Sequence, residues 1–297
     1  MKILITGSSG LIGSAAVKSF TAAGHQITRL VRQQPPDEGA ISWDPAAGRL
    51  DPAPCEGFDA VVHLAGENIA GGRWTAERMA RIRLSRVQGT RLLSETLARL
   101  SRPPRVLASA SAIGYYGDRA GEPLDETSPP GGGFLADVCR QWEAATQPAA
   151  DAGIRVARIR TGLVLAAGGG VLAMMLKPFR LGLGGRLGSG RQYMSWITLD
   201  DVVGAIAHVL ATETLRGPVN LVAPQPVTNA EFTRTLGRVL RRPTLLPLPA
   251  FLLRAALGKM ADELLLCGAR LVPRRLLDSG YQFNDLELEP ALRRLLG

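Results

Sequence analysis

The sequence predicts an α/β fold, a doubly wound parallel sheet joined to a smaller, mostly helical C-terminal region. Two observations carry this. Apolar runs of strand length alternate with helical patterns through the first 165 residues. Strands separated by helices in this way argue for a parallel sheet covered on both faces. The chain has 297 residues, 46% hydrophobic and 21% charged, long enough to bury about 75% of its unfolded surface without a disulfide or metal.

The elements follow in order. KILIT (2–6) is a short buried strand, and 11–23 reads as a helix. HQITRLV (25–31) is a second strand, ISW (41–43) a short third and DAVVHLAG (59–66) a fourth. Thr75 has the chemistry of an N-cap for a long helix reaching about residue 100. PRVLASAS (104–111) is a strand, 134–152 a helix and RVARIRTGLVL (155–165) a sixth strand. Beyond residue 165 the pattern changes: glycine-rich loops surround a helix near 171–181, and 200–211 and 229–240 are helical. Pro243, Pro247 and Pro249 break the chain before a helical tail in which Pro273 and Pro290 suit first-turn positions. The division predicted is a dinucleotide-binding region, 1–165, and a substrate-side region, 166–297, with its tail at 246–297, the two interleaved.

Several classes are excluded. Cys55, Cys139 and Cys267 are an odd number with no CxxC spacing, so they read as buried thiols in a reducing compartment. The most apolar stretch, 250–272, carries Arg254, Lys259, Asp262, Glu263 and Arg270, too many charges for a membrane span. No apolar signal-peptide core follows Lys2, and the expectation is a cytoplasmic protein. The net charge is +9. The arginines are spread along the chain without aromatic interleaving, so the expectation is no nucleic-acid partner and no membrane partner, with affinity for anionic small molecules kept open. His25, His63 and His208 fall on three different elements and do not suggest a metal set.

GSSGLIG places Gly7, Gly10 and Gly13 directly after the first strand and at the opening of the first helix. Glycines there permit a tight turn and close backbone approach. The helix N-terminus then offers free N–H groups and a positive dipole to a pyrophosphate. Ser9, Leu11 and Ile12 belong to the same turn and are candidate cofactor contacts with the three glycines. An acidic residue at the end of the second strand would bind the ribose of NAD. Here the strand ends in Val31-Arg32, and the first carboxylate is Asp37, beyond two prolines. Arg32 suits a 2′-phosphate, and Arg29 lies on the same strand, so NADP is the expected cofactor; a solvated strand-end arginine is the alternative.

These residues resemble the extended short-chain dehydrogenase/reductase superfamily, whose fold is a Rossmann-type doubly wound sheet. DAVVHLAG resembles its fourth-strand motif beside the cofactor, SAIGYYG (111–117) its serine-containing motif after the fifth strand, and RIRTGLVL the sixth-strand segment near the nicotinamide. AGENIAGGRWT (65–75), FLADVCRQWE (134–143), SWITLDDVV (195–203) and the tail from about Leu246 are similar to an "epimerase family" subfamily labelled nucleoside-diphosphate-sugar epimerases, with its C-terminal domain of unknown function. The resemblance implies cofactor contacts at Leu64, Ala65, Gly66, Asn68, Ser109 and Gly162. It implies a small-molecule substrate, and a homodimer or a monomer.

One departure matters. The superfamily uses a Tyr-xxx-Lys pair on the helix after the fifth strand, the Tyr passing a proton and the Lys lowering its pKa. This chain has no such pair: the motif's positions fall on Leu135 and Cys139. Ser111 matches the superfamily's serine, and Tyr115 follows it by four residues at the strand's carboxyl end, where such sheets bind ligands. Ser111 and Tyr115 are therefore the candidate catalytic groups, with Arg119 placed to lower the phenol's pKa. Packing is the alternative for each. Arg73 suits an anionic group or a pair with Glu67; Ser85 and Arg86 suit helix packing; Trp196 and Asp200 suit a buried aromatic and a helix N-cap. Three functions stay open: an NADP-dependent oxidoreductase acting on a carbonyl or alcohol, a non-catalytic NADP(H)-binding protein, and a sugar-nucleotide epimerase.

Overall fold

The structure is a computed structural model that describes residues 1–32 and 39–297; Asp37 lies outside the described residues. The chain runs β1 (Lys2–Thr6), α1 (Leu11–Ala22), β2 (Gln26–Val31), β3 (Ala40–Asp44), β4 (Arg49–Leu50), β5 (Ala60–His63), α2 (Ala76–Ala98), β6 (Val106–Ala112), β7 (Pro123–Leu124), α3 (Phe134–Ala144), α4 (Gln147–Asp151) and β8 (Arg155–Thr161). It continues through β9 (Leu163–Ala166), α5 (Gly170–Arg180), β10 (Tyr193–Met194), β11 (Trp196–Thr198), α6 (Leu199–Ala211), β12 (Gly217–Leu221), β13 (Val227–Thr228), α7 (Asn229–Leu240), α8 (Ala250–Leu257), β14 (Arg270–Leu271), α9 (Arg274–Asp278) and α10 (Leu288–Leu296).

The main sheet has the order β12-β8-β6-β5-β1-β2-β3-β4. All of its pairs are parallel except β3 with β4. The chain leaves β1 toward β2 and β3, then crosses back to β5, β6, β8 and β12. The order therefore reverses between β1 and β5, the place where open α/β sheets form a ligand crevice.

Alternate side chains of each strand enter opposite layers. Ile3, Ile5, Val62, Ala108 and Ile159 pack with α1 and α6 in one core. Leu4, Val61, Leu107 and Val156 pack with α2 and α4 in the other. A third core joins β9, α5, Trp196 of β11, α7 and α10. The chain beyond residue 166 thus contributes β12 and α6 to the main layers and α5, α7 and α10 to a smaller one.

Two predicted elements break where one was expected. The 155–165 strand bends at Gly162, whose added Cβ would overlap the Ser195 carbonyl oxygen. β8 stays in the main sheet, while β9 turns away to pair with β11. The helix 134–152 divides at Ala145-Thr146. Pro148 lacks the N–H that would continue the ladder, and the Thr146 hydroxyl donates to the Glu143 carbonyl instead, at 2.7 Å.

Smaller corrections have equally local causes. Thr75 caps α2 by accepting from Arg78 N, but the N-cap of α6 is Thr198, not Asp200. Pro273 is the N-cap of α9, whereas Pro290 lies in the first turn of α10. Cys55 and Cys139 are buried; Cys267 is only partly so. The working residue of SWITLDD is the buried Asp201, whose carboxylate accepts from the Tyr281 hydroxyl, both Asn284 nitrogens and Asp285 N. It ties the tail to the main sheet's helical layer. Trp196 is fully buried. No helix among the described residues is long and apolar enough to cross a membrane.

Candidate cofactor and active site

The glycine-rich turn sits at the reversal point. Thr6 pairs with Leu30 on one side and His63 on the other, so Val31-Arg32 and Leu64-Ala65 flank the turn at the sheet's carboxyl edge. Its three glycines are required for different reasons. Gly7 has φ +66°, and a Cβ there would lie 2.8 Å from the Leu64 carbonyl. A Cβ on Gly13 would overlap the Gly7 carbonyl oxygen. Gly10 has neither constraint: its φ is −78°, and its nearest neighbour would be Gly7 O at 3.3 Å. The protein itself needs Gly7 and Gly13. At Gly10 it leaves open the space a side chain would fill, directly in front of α1. No side chain caps α1 and its first turn carries no acidic residue, so its leading N–H groups and dipole face that space. The site accordingly fits a pyrophosphate held by the N–H groups of Leu11, Ile12 and Gly13, while the Gly10 N–H donates to Gly7 O at 3.0 Å and Gly10 supplies the open space. Arg32 is exposed at the end of β2.

Beneath the turn is a buried polar chain. The Thr6 hydroxyl oxygen accepts from Leu64 N and Ala65 N at 3.0 and 3.1 Å and lies 2.7 Å from His63 Nδ1. With its acceptor sites occupied, the hydroxyl has its proton left for Nδ1. The imidazole is then neutral, with its hydrogen on Nε2. That N–H reaches the Thr90 hydroxyl at 2.9 Å, as does Trp142 Nε1 at 2.8 Å. Burial pushes the His63 pKa down to about 4. The loop after β5 is pinned from α2 as well: Ser85 accepts from Glu67 N, Arg86 donates to Glu67 O, and the Arg86 guanidinium stacks on Trp142, 5.0 Å from the ring centre. Arg86 therefore holds a loop backbone rather than forming a helix-packing ion pair. Asn68 is exposed and closes a local turn with Ala70 N. Arg73 lies against Gly258, and Glu67 faces Arg81, 4.0 Å away, instead.

The carboxyl end of β6 and β8 holds a second network. Arg160 Nε and Nη2 form a fork on the Glu143 carboxylate at 2.7 and 2.9 Å. Arg160 Nη1 donates to the Tyr116 hydroxyl at 2.9 Å, and that hydroxyl donates to Asn220 Oδ1 at 2.8 Å. All four residues are buried. Burial works against the Arg160 charge, but the Glu143 hydrogen bonds and charge outweigh it and raise the pKa. Burial raises the Tyr116 pKa to about 12, against the opposing pull of Arg160.

This network redirects the candidate catalytic residues. Ser111 is 4% exposed and its hydroxyl donates to Glu143 Oε1 at 2.8 Å, so its proton is already engaged. Tyr115 is partly exposed on the turn after β6, and its ring lies on the Arg160 guanidinium, 3.5 Å from the centroid. Its hydroxyl has no hydrogen-bond partner among the described residues. Arg119 does not serve it: that guanidinium forks onto Glu122, and Arg160 is the cation at the phenol ring. Ser109 is fully buried on β6 and its hydroxyl has no partner.

Leu135 and Cys139 of α3 face the turn after β6. A Cβ on Gly114 would be 3.1 Å from Leu135 Cβ and 3.9 Å from Cys139 Sγ. Cys139 points at the Ala112 carbonyl, and burial raises its pKa to about 11, so it is a thiol at neutral pH. The two positions that would hold a proton-relaying pair are filled by an apolar contact. At the start of α3, Glu263 from the C-terminal tail accepts from Phe134 N and Leu135 N at 2.8 and 3.1 Å. Sequence reading missed the Arg160–Glu143 pair, though an arginine inside an apolar strand announces a buried partner. Nothing local in the sequence points to Glu263.

A doubly wound sheet with this turn at its reversal point has well-defined relatives. Residues 3–221 match the NAD dependent epimerase/dehydratase family. The chain belongs to that family. Residues 248–295 match a domain of unknown function, DUF1731. An epimerase family protein of Mycobacterium bovis is 47% identical over 290 residues, covering 98% of this chain and 96% of the relative. The crystal structure of human epimerase family protein SDR39U1 with NADPH superposes with a TM-score of 0.91 at 37% identity, covering 99% of each chain. The crystal structure of the nucleoside-diphosphate sugar epimerase from Corynebacterium glutamicum gives a TM-score of 0.84 at 36% identity, covering all of this chain and 58% of that one.

The buried networks can be tested through stability. His63 titrates near 6.5 when unfolded and near 4 when folded. Its contribution to stability is full above pH 6.5 and is lost as the pH falls toward 4, by roughly 3 kcal/mol in all. Denaturant unfolding at pH 7 and pH 4.5 should show this loss, and His63→Asn should lack that part of it. Arg160→Met leaves Glu143 buried without its partner and should cost about 3–5 kcal/mol. Adding Glu143→Leu should recover part of that loss rather than add to it, as read from guanidinium unfolding midpoints.

Proposed function

We propose that this protein is an NADP(H)-dependent oxidoreductase of the epimerase family that acts on a carbonyl or alcohol of a small molecule. The observation that carries the reading is the unclaimed space at Gly10 in front of the uncapped α1, with Arg32 at the adjoining strand end. The human relative, whose crystal structure is with NADPH, supports the choice of cofactor. When bound, the nicotinamide supplies or takes a hydride. Leu11, Ile12 and Gly13 bind the pyrophosphate through backbone N–H groups over the space that Gly10 leaves open, and Arg32 binds the 2′-phosphate. The Tyr115 hydroxyl, partly exposed and held by its ring on Arg160, gives the proton to the substrate oxygen or takes it. Ser111 acts one step back, holding Glu143 and through it Arg160.

A second reading has its own observation. Leu135 and Cys139 occupy the helix positions where this family's proton relay is expected, and both contribute packing. A protein that binds NADP(H) without turnover would keep the turn and lose those groups. An epimerase working through a transient ketone depends most on them, and is the weakest of the three.

Cofactor binding tests the common part. Arg32→Asp should weaken NADPH at least tenfold, about 1.4 kcal/mol, and leave NADH nearly unchanged, by fluorescence titration. Gly10→Val should abolish binding with the fold intact by circular dichroism. Equal affinity for the two cofactors in the unmodified protein would refute the NADP assignment. A panel of aldehydes, ketones and quinones, followed by NADPH absorbance, separates the two readings. With an active substrate, Tyr115→Phe should cost ~10²–10³ in rate, the scale of a lost proton donor, and Cys139→Ala should stay within about threefold. Undiminished turnover by Tyr115→Phe would remove the phenol from the reaction.

A further inference from the structure

The opposite edge of the molecule holds a cleft that the cofactor site does not use. Its volume is about 610 Å³, in the range of small-molecule sites. Thr146, Gln147 and Ala150 of the α4 region form one wall, and the starts of β8 and β12 the other. Register places it. Arg155 pairs with Val106, Val106 with Ala60 and Ala60 with Ile3. The cleft therefore lies at the amino ends of the strands, away from the glycine-rich turn.

Four arginines line it, Arg155, Arg158, Arg216 and Arg275, and no carboxylate does. Arg155 is locked by donating to the Val209, Leu210 and Leu215 carbonyls at the end of α6. Arg275 donates to the Arg216 carbonyl. Arg158 projects from β8 with its Nε buried and without a partner. The Arg158 and Arg275 guanidiniums converge over Gly217: a Cβ there would stand 3.1 Å from Arg275 Nη1 and 3.6 Å from Arg158 Nη2. Gly217 has φ +73°, so its turn selects glycine and leaves the space open. None of the four forms a salt bridge within 4.0 Å among the described residues. Glu126 lies behind Arg275 and accepts from its backbone N–H, and Glu213 stands near Arg155, but neither enters the cleft. Like charges facing one partly desolvated space repel, and an oxyanion offering several acceptors compensates them there. Guanidinium forks match phosphate oxygens in geometry and charge.

We infer that the cleft between α4, β8 and β12 binds a phosphorylated small molecule, with Arg158 and Arg275 gripping its phosphate and Arg216 at the rim. The cleft's bounded size favours a small molecule over an extended polyanion.

The probe is inorganic pyrophosphate, titrated by calorimetry into the full-length protein. Excess NADPH fills the glycine-rich turn, and sodium chloride matches the ionic strength. Saturable binding is expected, with thermal stabilisation. Arg158→Gln should weaken it at least tenfold and Arg216→Gln severalfold, both with NADPH affinity unchanged. Neither side chain carries a hydrogen bond the fold depends on, and retained NADPH binding reports folding. Failure of NADPH itself to bind would count against the glycine-turn reading only, because the two arginine variants still report on this cleft. No saturable pyrophosphate binding, or binding that both variants keep, overturns the inference. So does arginine-dependent binding of a 20-nucleotide single strand in the absence of pyrophosphate binding.

Discussion

The ion pair between Arg160 and Glu143 organises the carboxyl edge of the sheet. Arg160 stands on β8 and is only 3% exposed, so protein groups must take the place of solvent around its charge. Glu143 comes from α3, Tyr116 from the turn after β6, Asn220 from β12 and Ser111 from β6. Three strands, a helix and a turn are thereby fixed relative to one another by directional bonds rather than by packing alone. The Tyr115 ring on the far face of the guanidinium shares that rigidity. A phenol whose position is set by a buried ion pair is held at a defined angle without any bond to its own hydroxyl.

The chain built this edge without the usual chemistry of its family. Leu135 and Cys139 close against Gly114 where a hydroxyl and an ammonium would otherwise project. The positive charge near the reaction edge has moved from a helix to a strand, from a lysine that reaches a cofactor to an arginine that holds a carboxylate. Charge at this edge keeps its sign and changes its office: it orients Glu143, the Tyr116 hydroxyl and the Tyr115 ring.

The sheet was legible because strand-length runs alternate with helical patterns, the order a parallel sheet covered on both faces requires. The glycine-rich turn was legible because the backbone conformation and the close approach it needs leave only glycine. Boundaries failed where tertiary contacts chose them. Gly162 reads as one residue of a strand until Ser195 and Val222 crowd it, and Thr146 reads as helix until its hydroxyl takes the Glu143 carbonyl. The candidate site divided the same way. The cofactor turn is local in sequence and was readable. Ser111 was readable as a position, but its partner lies 32 residues away, so the direction of its proton was not. Arg119 was assigned to the phenol by proximity in sequence, whereas its guanidinium forks onto Glu122 and the cation lying against the ring is Arg160.

Glu263 carries a consequence for the order in which this protein assembles. The start of α3 is satisfied by a carboxylate 129 residues downstream, and α6 is held by Asp201 to residues 281–285. A nascent chain cannot complete either contact until Glu263 and residues 281–285 have been synthesised. Until then α3 stands uncapped and the flank of α6 uncovered, although the glycine-rich turn lies far upstream of both. Folding during translation therefore leaves these two elements unfinished until the tail is made.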